Sequence, residues 1–338
     1  MDPTEKQLEY DAINSGAGIC LLDDRLVVRI SGDDRISFMH GMCTADVKSL
    51  VTGDLTRALF LTEHAHVIAD CFIYALHEPS LWLEVERASW AKIREHLERF
   101  LVADDVELDE LDTLAALDVE GPASIDAVAA SFGDEVRELK HWQHLTREGF
   151  RIADLPRYGR PAFTIIGERT ALASVAERMR QSRPEIRELH AETLETLRIE
   201  SGLALVGTDT KERTLALEAR LEPAIALNKG CYVGQETIER ASAHGSLKRR
   251  LCGLRVTGNE MPKSGALIKL AGKDVGYLSS VARSPLAGII GLAILHHSAW
   301  PVGTCVSITG DGSTVSGLVC ELPFRGSRRS AAIDEARM

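Results

Sequence analysis

Residues 228–236 read NKGCYVGQE, and this stretch decides how the rest of the chain is interpreted. It combines a cation, a thiol, a phenol, an amide and a carboxylate with two glycines, a mixture that a packed core does not need. Each glycine permits a backbone conformation or a close approach that a Cβ atom would block. Lys229 stands two positions before Cys231, and a neighbouring ammonium favours the reactive thiolate. The stretch is therefore either a loop that holds a polar ligand near its backbone or a polar turn with a buried cysteine.

The composition around this stretch is that of a globular protein. The chain has 338 residues, 45% hydrophobic and 26% charged, and this length predicts two or three domains. A net charge of -11 argues against strong nucleic-acid binding, although the basic run KRR at 248–250 could still bind an anion.

The cysteines and histidines are not arranged as in disulfide-rich or metal-binding proteins. The 7 cysteines are scattered and never form a C-x-x-C pair, so neither a secreted disulfide framework nor a zinc module is indicated. The sequence contains no H-x-x-x-H or H-E-x-x-H pattern, and we predict no metal site. The polar start MDPTE is unlike a signal peptide, and no apolar run approaches the length of a membrane span. We expect a cytoplasmic protein that does not contact membranes.

Strands and amphipathic helices alternate between residues 25 and 200. The predicted strands are 25–30, 67–76, 81–85, 115–119 and 161–166. The predicted helices begin after Asp33 or Asp34 as N-cap, at Ser89, after the Gly-Pro pair at 121–122, near Leu172 and at Ala191. Residues 1–20 resemble a lead-in segment, and residues 133–160 show turn signals without a clear element. This rhythm is typical of ferredoxin-like units or of a mixed sheet with helices on one face.

The pattern changes after residue 246. Short apolar runs at 251–256, 266–270, 275–282, 289–295, 304–309 and 314–321 are separated by Gly, Pro, Asn, Asp or Ser. Evenly spaced short strands without a long helix predict a small closed barrel. We therefore expect two α/β regions at 1–115 and 116–245, a β-barrel at 246–324 and a loose tail at 325–338.

Two acids stand out from their surroundings. Asp70 lies inside an apolar strand, where alternation places it on the face opposite Ala69 and Cys71. A carboxylate among apolar groups needs a partner, so Asp70 is either solvated or part of a pocket. Glu200 ends a helix just before Ser201 and Gly202, where a negative charge opposes the helix dipole. Such a placement hints at a ligand, and a surface glutamate is the alternative.

Residues 229–236 resemble the K-G-C-[FY]-x-G-Q-E signature of the YgfZ family, and every position of the signature matches. These folate-binding proteins are linked to iron–sulfur cluster assembly and repair, with a connection to tRNA modification, and are related in fold to the glycine-cleavage T-protein, an aminomethyltransferase. Further segments are similar to both families: LRIESG at 197–202 with GTD at 207–209, SGDD at 31–34 through TADV at 44–47, and the barrel start at 276–280. The match is thin between residues 85 and 190.

The resemblance implies an α+β fold in which two ferredoxin-like α/β domains and a C-terminal antiparallel β-barrel form a ring around tetrahydrofolate. Glu200 would then contact the pterin through two parallel hydrogen bonds, and Asp70 would act on the folate. The signature places Tyr232, Gln235 and Glu236 near the same cofactor.

Departures from the T-protein pattern favour the YgfZ side. T-proteins show two consecutive aspartates where this chain has Ala69 and Asp70. They show a V-N-[AS] segment after the next strand, where this chain has Glu84, Val85, Glu86 and Arg87, and they lack the cysteine of the signature.

The resemblance implies three alternative functions. The leading one is a folate-binding accessory factor that serves iron–sulfur client or assembly proteins through transient contacts, with Cys231 as the reactive thiol and Lys229 lowering its pKa. The second is a tetrahydrofolate-dependent aminomethyltransferase or demethylase with Asp70 as acid/base, and the third is a binding module with a degenerate folate site.

Overall fold

The computed structural model describes residues 3–244, 247–310 and 312–324. The chain divides into two compact units. The first unit comprises Met1–Leu61, Ile68–Thr193 and Ala224–Val233, and the second comprises Thr62–Val67, Leu194–Pro223 and Gly234–Met338. The domain boundaries expected at 115 and 245 stay predictions; Gly245 and the tail at 325–338 lie outside the described residues.

The secondary structure alternates between helices and strands up to α7 and is almost entirely strand thereafter. The helices are α1 (Pro3–Ser15), α2 (Arg35–Met42), α3 (Trp90–Phe100), α4 (Ser124–Phe132), α5 (Arg169–Ser182), α6 (Ala191–Glu200) and α7 (Gln235–His244). The strands are β1 (Gly18–Leu22), β2 (Arg25–Ser31), β3 (Leu55–Leu61), β4 (Val67–Ala75), β5 (Leu81–Glu86), β6 (Glu107–Glu110), β7 (Leu114–Glu120), β8 (Gln143–Arg147), β9 (Phe150–Asp154), β10 (Ala162–Glu168), β11 (Arg187–Glu188), β12 (Arg249–Val256), β13 (Leu267–Leu270), β14 (Lys273–Ser284), β15 (Gly288–His296), β16 (Cys305–Gly310) and β17 (Ser313–Cys320). Short 3₁₀ helices lie at Val47–Ser49, Arg87–Ser89, Asp134–Glu138, Glu222–Ala224 and His297–Ala299.

The first unit contains a five-stranded sheet in the order β3-β4-β5-β2-β6. One face of this sheet packs against α2 and α3, because α3 carries Trp90, Ile93 and Leu97 on one side at helical spacing. Each such side chain contributes roughly 1.5–3 kcal/mol when fully buried. The residues of opposite alternation, including Asp70 and Glu84, point away from that core.

The first unit also contains a six-stranded sheet in the order β11-β1-β7-β10-β9-β8. Its strands pair antiparallel except for β1 with β11. Leu117 and Val119 of β7 pack on the side that carries α4 and α5, so the intervening Asp118 and Glu120 face the opposite side. Each sheet therefore has one apolar face covered by helices and one face that carries buried charge.

The second unit contains a closed antiparallel barrel in the order β12-β15-β14-β13-β16-β17. All six strands predicted after residue 246 are present, and their inward side chains, such as Leu254, Ile268 and Leu278, form one core. The prediction of mixed α/β elements followed by a β-barrel is thus confirmed.

Several elements were missed because their sequences lack a clean periodicity. The lead-in predicted for residues 1–20 is instead α1 and β1, and α1 buries Lys6 and Glu9 together with Tyr10. Within 133–160, β8 and β9 form a hairpin whose turn residues, Glu148 and Gly149, both have positive φ. Strands β3, β6 and β11 were also missed.

The helix cap predicted at Asp33 or Asp34 is only half right. Asp34 occupies the N-cap position of α2, but its side chain makes no capping hydrogen bond. Its carboxylate instead accepts the backbone N–H of Asp105 at 2.9 Å, which ties the start of α2 to the segment before β6.

Candidate functional site

Lys229 anchors the signature stretch, residues 228–236, to the end of α2. Its Nζ donates to the carbonyl oxygens of His40 at 2.5 Å, Cys43 at 2.7 Å and Ala45 at 2.7 Å. These carbonyls lie at or just beyond the last turn of α2, where helical carbonyls lack partners within the helix. Burial lowers the pKa of Lys229 from its ordinary value, while the carbonyls supply the charged form with acceptors. The lysine is therefore a structural anchor.

This contact corrects the role expected for Lys229. An ammonium has three N–H donors, and all three are committed to carbonyl oxygens, so none remains to hydrogen-bond a Cys231 thiolate. The ring of Tyr232 lies beneath the ammonium, 4.9 Å from Nζ to the ring centroid. Tyr232 is itself buried, so its ring belongs to the anchor. Proximity in the sequence misled the expectation.

Cys231 lies exposed between two fixed points of the signature stretch. On one side is the Lys229 anchor, and on the other the backbone N–H of Val233 donates to Gly41 O at 3.1 Å. Gly234 follows with φ of +89°, a conformation that favours glycine and turns the chain into α7. The cysteine is thus a free thiol presented on an ordered loop, and the alternative of a polar turn with a buried cysteine is wrong.

His40 is a neighbour of this loop that the sequence pattern did not single out. It is buried in α2, and Asp46 Oδ1 lies 3.3 Å from its Nδ1. Burial and the nearby Lys229 lower its pKa, against the opposing effect of Asp46. A methyl group on Gly230 would come within 3.3 Å of its Nε2, so Gly230 allows the loop to approach this imidazole closely. At neutral pH the loop therefore packs against an uncharged histidine.

Asp70 lies in another part of the first unit, on β4. Its carboxylate accepts a hydrogen bond of 2.7 Å from Arg57 of β3, and both side chains are partly exposed. As alternation predicted, Asp70 faces away from the core that holds Ala69 and Cys71. The partner that the sequence required is therefore an arginine on the neighbouring strand.

Glu86 adds a second acid to the surroundings of Asp70. Burial raises its pKa, Asp24 and Asp70 raise it further, and Arg25 opposes them. The surroundings of Asp70 therefore contain a second titratable carboxyl group.

A buried ionic network joins the two sheets of the first unit. Arg157 donates to Asp118 Oδ2 of the six-stranded sheet at 3.0 Å and to Glu84 Oε1 of the five-stranded sheet at 2.8 Å. Arg25 and Tyr74 complete the bonding of Glu84 at 2.9 and 2.7 Å. Although burial alone would raise it, Arg157 and Arg25 hold the pKa of Glu84 down to about 2. No local sequence pattern indicates this network, because its members are far apart in the chain.

Glu120 lies two residues beyond Asp118 on the same face of β7 and is fully buried. Neither carboxyl oxygen has a hydrogen-bond partner among the residues that the structure describes. Burial, followed by the charge of Asp118, raises its pKa well above the usual range. Burial without a partner therefore favours the protonated form of Glu120.

In the second unit, Glu200 is the last residue of α6 and is 3% exposed. Ser284 donates its hydroxyl to Glu200 Oε1, which ties the end of α6 to the end of β14. The alternative of a surface glutamate is thus wrong. Its predicted contact with a pterin stays a prediction.

Asp209 of the GTD segment is buried in the second unit and accepts several hydrogen bonds there. It accepts hydrogen bonds from Arg198 at 2.6 Å, from the Leu205 backbone at 2.9 Å and from Ser280 at 2.7 Å. These bonds link α6 to β14 and account for the acid without a ligand.

Gln235 and Glu236 open α7 and make contacts along the helix. Gln235 donates to Glu239 at 2.7 Å, and Glu236 pairs with Arg240 at 3.2 Å. The Glu236 side chain is 91% exposed, so its predicted folate contact gains no support from its surroundings.

One group of possible metal ligands occurs in the described part of the chain, at Glu5, Glu9 and His190. The Glu9 carboxylate is already bonded to the His190 ring and to the Thr193 hydroxyl. The group is thus satisfied as an internal polar cluster between α1 and the start of α6. Among the described helices, none has the length and apolar character needed to cross a membrane.

Two sequence families match the chain in succession. The GCVT N-terminal domain family matches residues 4–229, and the glycine cleavage T-protein C-terminal barrel domain family matches residues 249–325. The second match coincides with the six barrel strands.

Individual relatives match over almost the whole chain. A chloroplastic "putative transferase" of Arabidopsis thaliana is 29% identical over 93% of this chain and 72% of its own length. An aminomethyltransferase of Bacillus mycoides is 23% identical over 94% of this chain and 88% of its own. The crystal structure of the glycine cleavage system aminomethyltransferase T from Bartonella henselae aligns with a TM-score of 0.86 and 20% identity, covering 96% of this chain and 90% of that one. At that identity the structural match shows a shared fold.

Proposed function

The chain belongs to the glycine-cleavage T-protein family, and from this premise we propose that it binds tetrahydrofolate and uses Cys231 in the assembly or repair of iron–sulfur proteins. The observation that carries the proposal is the exposed free thiol of Cys231 on a loop fixed by Lys229 and Val233. A thiol that served only packing would be buried, as Cys43 and Cys71 are.

The contrast between these cysteines supports a chemical role. Burial raises the pKa of Cys43 to about 11 and raises the pKa of Cys71 well above its ordinary value, so both remain protonated thiols at neutral pH. Cys231 is in contact with solvent, so its sulfur is accessible to an iron ion. One thiolate cannot hold a cluster, so the client protein or a small thiol supplies the remaining ligands.

Folate binding is proposed on family grounds, because the T-protein-like family uses tetrahydrofolate. Glu200 is the proposed pterin contact, since its burial and its bond to Ser284 fix the carboxylate in one orientation. Asp70 is the proposed second contact, with Arg57 holding its carboxylate. Calorimetric titration of the purified protein with tetrahydrofolate tests this part, and an absence of heat and of competition by folate analogues rejects it.

The thiol is tested with matched serine variants. Cys231→Ser and Cys305→Ser each remove one exposed thiol, the second from β16 of the barrel. In cells that lack the protein, we expect Cys305→Ser to restore the activity of an iron–sulfur enzyme and Cys231→Ser to fail. Both variants should bind tetrahydrofolate like the wild type. Full restoration by Cys231→Ser would remove the proposed role of the thiol.

A second function, tetrahydrofolate-dependent aminomethyl transfer, is favoured by the names of the curated relatives and by the retention of an acid at Asp70. Against it stand Ala69, where the T-protein pattern has a second aspartate, and the stretch from Glu84 to Arg87, which replaces its V-N-[AS] segment. Incubation with tetrahydrofolate and an aminomethyl or N-methyl donor discriminates the two functions. Turnover that Cys231→Ser retains would favour the transferase.

A further inference from the structure

The barrel unit contains a cavity that the proposed function does not use. Its volume is about 280 Å³. Residues from four segments line it, among them Arg220, Arg250, Trp300, Val302, Cys320 and Leu322. The volume is at the lower end of small-ligand sites, so the cavity suits a molecule of a few heavy atoms.

The Arg250 guanidinium lies over an aromatic ring in this cavity. Its central carbon lies 4.6 Å from the centroid of the Trp300 ring. Trp300 is fixed in turn by a 2.8 Å hydrogen bond from its indole N–H to Leu295 O. The Nε of Arg250 is buried and has no hydrogen-bond partner among the residues that the structure describes, while the guanidinium also hydrogen-bonds the Cys252 thiol and helps to lower its pKa against the effect of burial. A buried donor of this kind is costly unless a ligand or water accepts its hydrogen bonds.

The other residues that line the cavity indicate the charge and the apolar character of a ligand that would fit it. Arg220 contributes a second guanidinium and has φ of +57°, a backbone conformation that glycine would adopt at lower cost. Glu321 adds one negative charge but is exposed to solvent, so the interior is positive. Val302, Val319 and Leu322 add apolar surface.

We propose that this cavity binds a small organic carboxylate with a short apolar body, with its carboxylate on Arg250 and its carbon chain against Val302 and Leu322. A guanidinium offers two parallel N–H groups that match the two oxygens of a carboxylate. Stacking on Trp300 leaves the edge of the guanidinium available for this bidentate contact, since the ring covers only its face. The residues that line this site do not include Glu200, Asp70 or Cys231.

The reactivity of Cys320 can report whether a ligand occupies the cavity. Cys320 is a free, partly exposed cysteine among the lining residues, so a bound ligand should shield its thiol from alkylation. Mass spectrometry of the Cys320 peptide after a short exposure to iodoacetamide measures this shielding. Cys305 lies on the neighbouring strand β16, is exposed and is not among the lining residues, so it serves as the internal control.

The test is a titration of the full chain with succinate, glutarate, butyrate and inorganic phosphate, followed by calorimetry and by Cys320 alkylation. We expect at least one carboxylate to bind and to slow alkylation of Cys320 at least fivefold, with that of Cys305 unchanged. Arg250→Gln should weaken binding at least tenfold. Arg255→Gln, an exposed arginine of the same strand, should leave it unchanged.

A second variant tests the site without removing Arg250, in case Arg250→Gln does not fold. Val302 is 60% exposed at the cavity, so Val302→Trp keeps both guanidiniums and fills the space. It should also abolish binding. The proposal is overturned if no carboxylate binds, if phosphate alone binds, or if Arg255→Gln weakens binding as much as Arg250→Gln.

Discussion

Lys229 and Arg157 are two cations of the same unit, the first half-buried and the second with a buried side chain, and they are stabilised in opposite ways. Lys229 is surrounded by neutral acceptors, the carbonyls of His40, Cys43 and Ala45, and burial lowers its pKa. Arg157 is held between the carboxylates of Glu84 and Asp118, and these raise its pKa well above the usual range although burial opposes them. The first arrangement fixes a loop that presents a thiol, and the second joins two sheets.

The comparison shows what each cation contributes. Removing Lys229 leaves polar carbonyls that water can partly satisfy, because the lysine is only half-buried. Removing Arg157 leaves buried charges, which water cannot reach, since Glu84 is 0% exposed and Asp118 is 1% exposed. The stability of the unit should therefore depend far more on Arg157 than on Lys229, and the behaviour of the loop more on Lys229.

The largest effect is expected from Arg157→Met. Loss of this cation from a buried network should lower the free energy of unfolding of the first unit by about 3–5 kcal/mol. Urea denaturation followed by the fluorescence of Trp82 and Trp142 measures the change. Arg29→Met is the matched control, because Arg29 pairs with Asp109 on the surface and such pairs contribute about 0–1 kcal/mol. Equal losses in the two variants would contradict the network as a source of stability.

How far the sequence predicts these features depends on the distance between the interacting residues. The barrel was predictable because each strand is a short apolar run bounded by turn residues such as Gly265 and Gly288. The glycines of the signature stretch indicated unusual backbone conformations, and Gly234 has one, but local composition left open whether Cys231 is exposed or buried. Arg157 and Glu84 are 73 positions apart, and Lys229 and His40 are 189 apart, so no local pattern records either contact. Lys229 was assigned to its sequence neighbour Cys231 for the same reason.

Helix α1 shows a second reason why an element can be hard to predict from sequence. Its buried face includes Lys6 and Glu9, whose partners Glu192 and His190 lie far along the chain. A helix that buries charge has little apolar periodicity, and it therefore resembles a lead-in segment. The buried charge of α1, like that of Glu84, becomes interpretable only when the partner is known.

Glu120, which lies on the same strand as the Arg157 partner Asp118, should make the stability of the first unit depend on pH. The pKa of Glu120 in the folded protein lies above the usual value of about 4.3 in the unfolded chain. Between these two values the folded state binds the extra proton, so the free energy of unfolding falls as pH rises, by up to about 1.4 kcal/mol per pH unit. Glu120→Gln keeps a neutral polar group and should remove this slope. Denaturation midpoints of the wild type and of Glu120→Gln at pH 5, 6 and 7 measure this slope. If stability changed with pH equally in the two proteins, Glu120 would not be the group that binds the extra proton.

The smallest effect on stability is expected from Lys229→Met, and it isolates the loop. Three carbonyls lose their donor, and because water can replace part of it, the free energy of unfolding should fall by about 1–2 kcal/mol. Lys92→Met, at an exposed position of α3, should change it by less than about 0.5 kcal/mol. The distinguishing readout is Cys231: once the anchor is lost, its alkylation rate should change at least threefold while that of Cys305 stays constant. If Lys229→Met left the Cys231 rate unchanged and only lowered stability, the lysine would support α2 without ordering the thiol, and the fixed loop would no longer explain how Cys231 is presented.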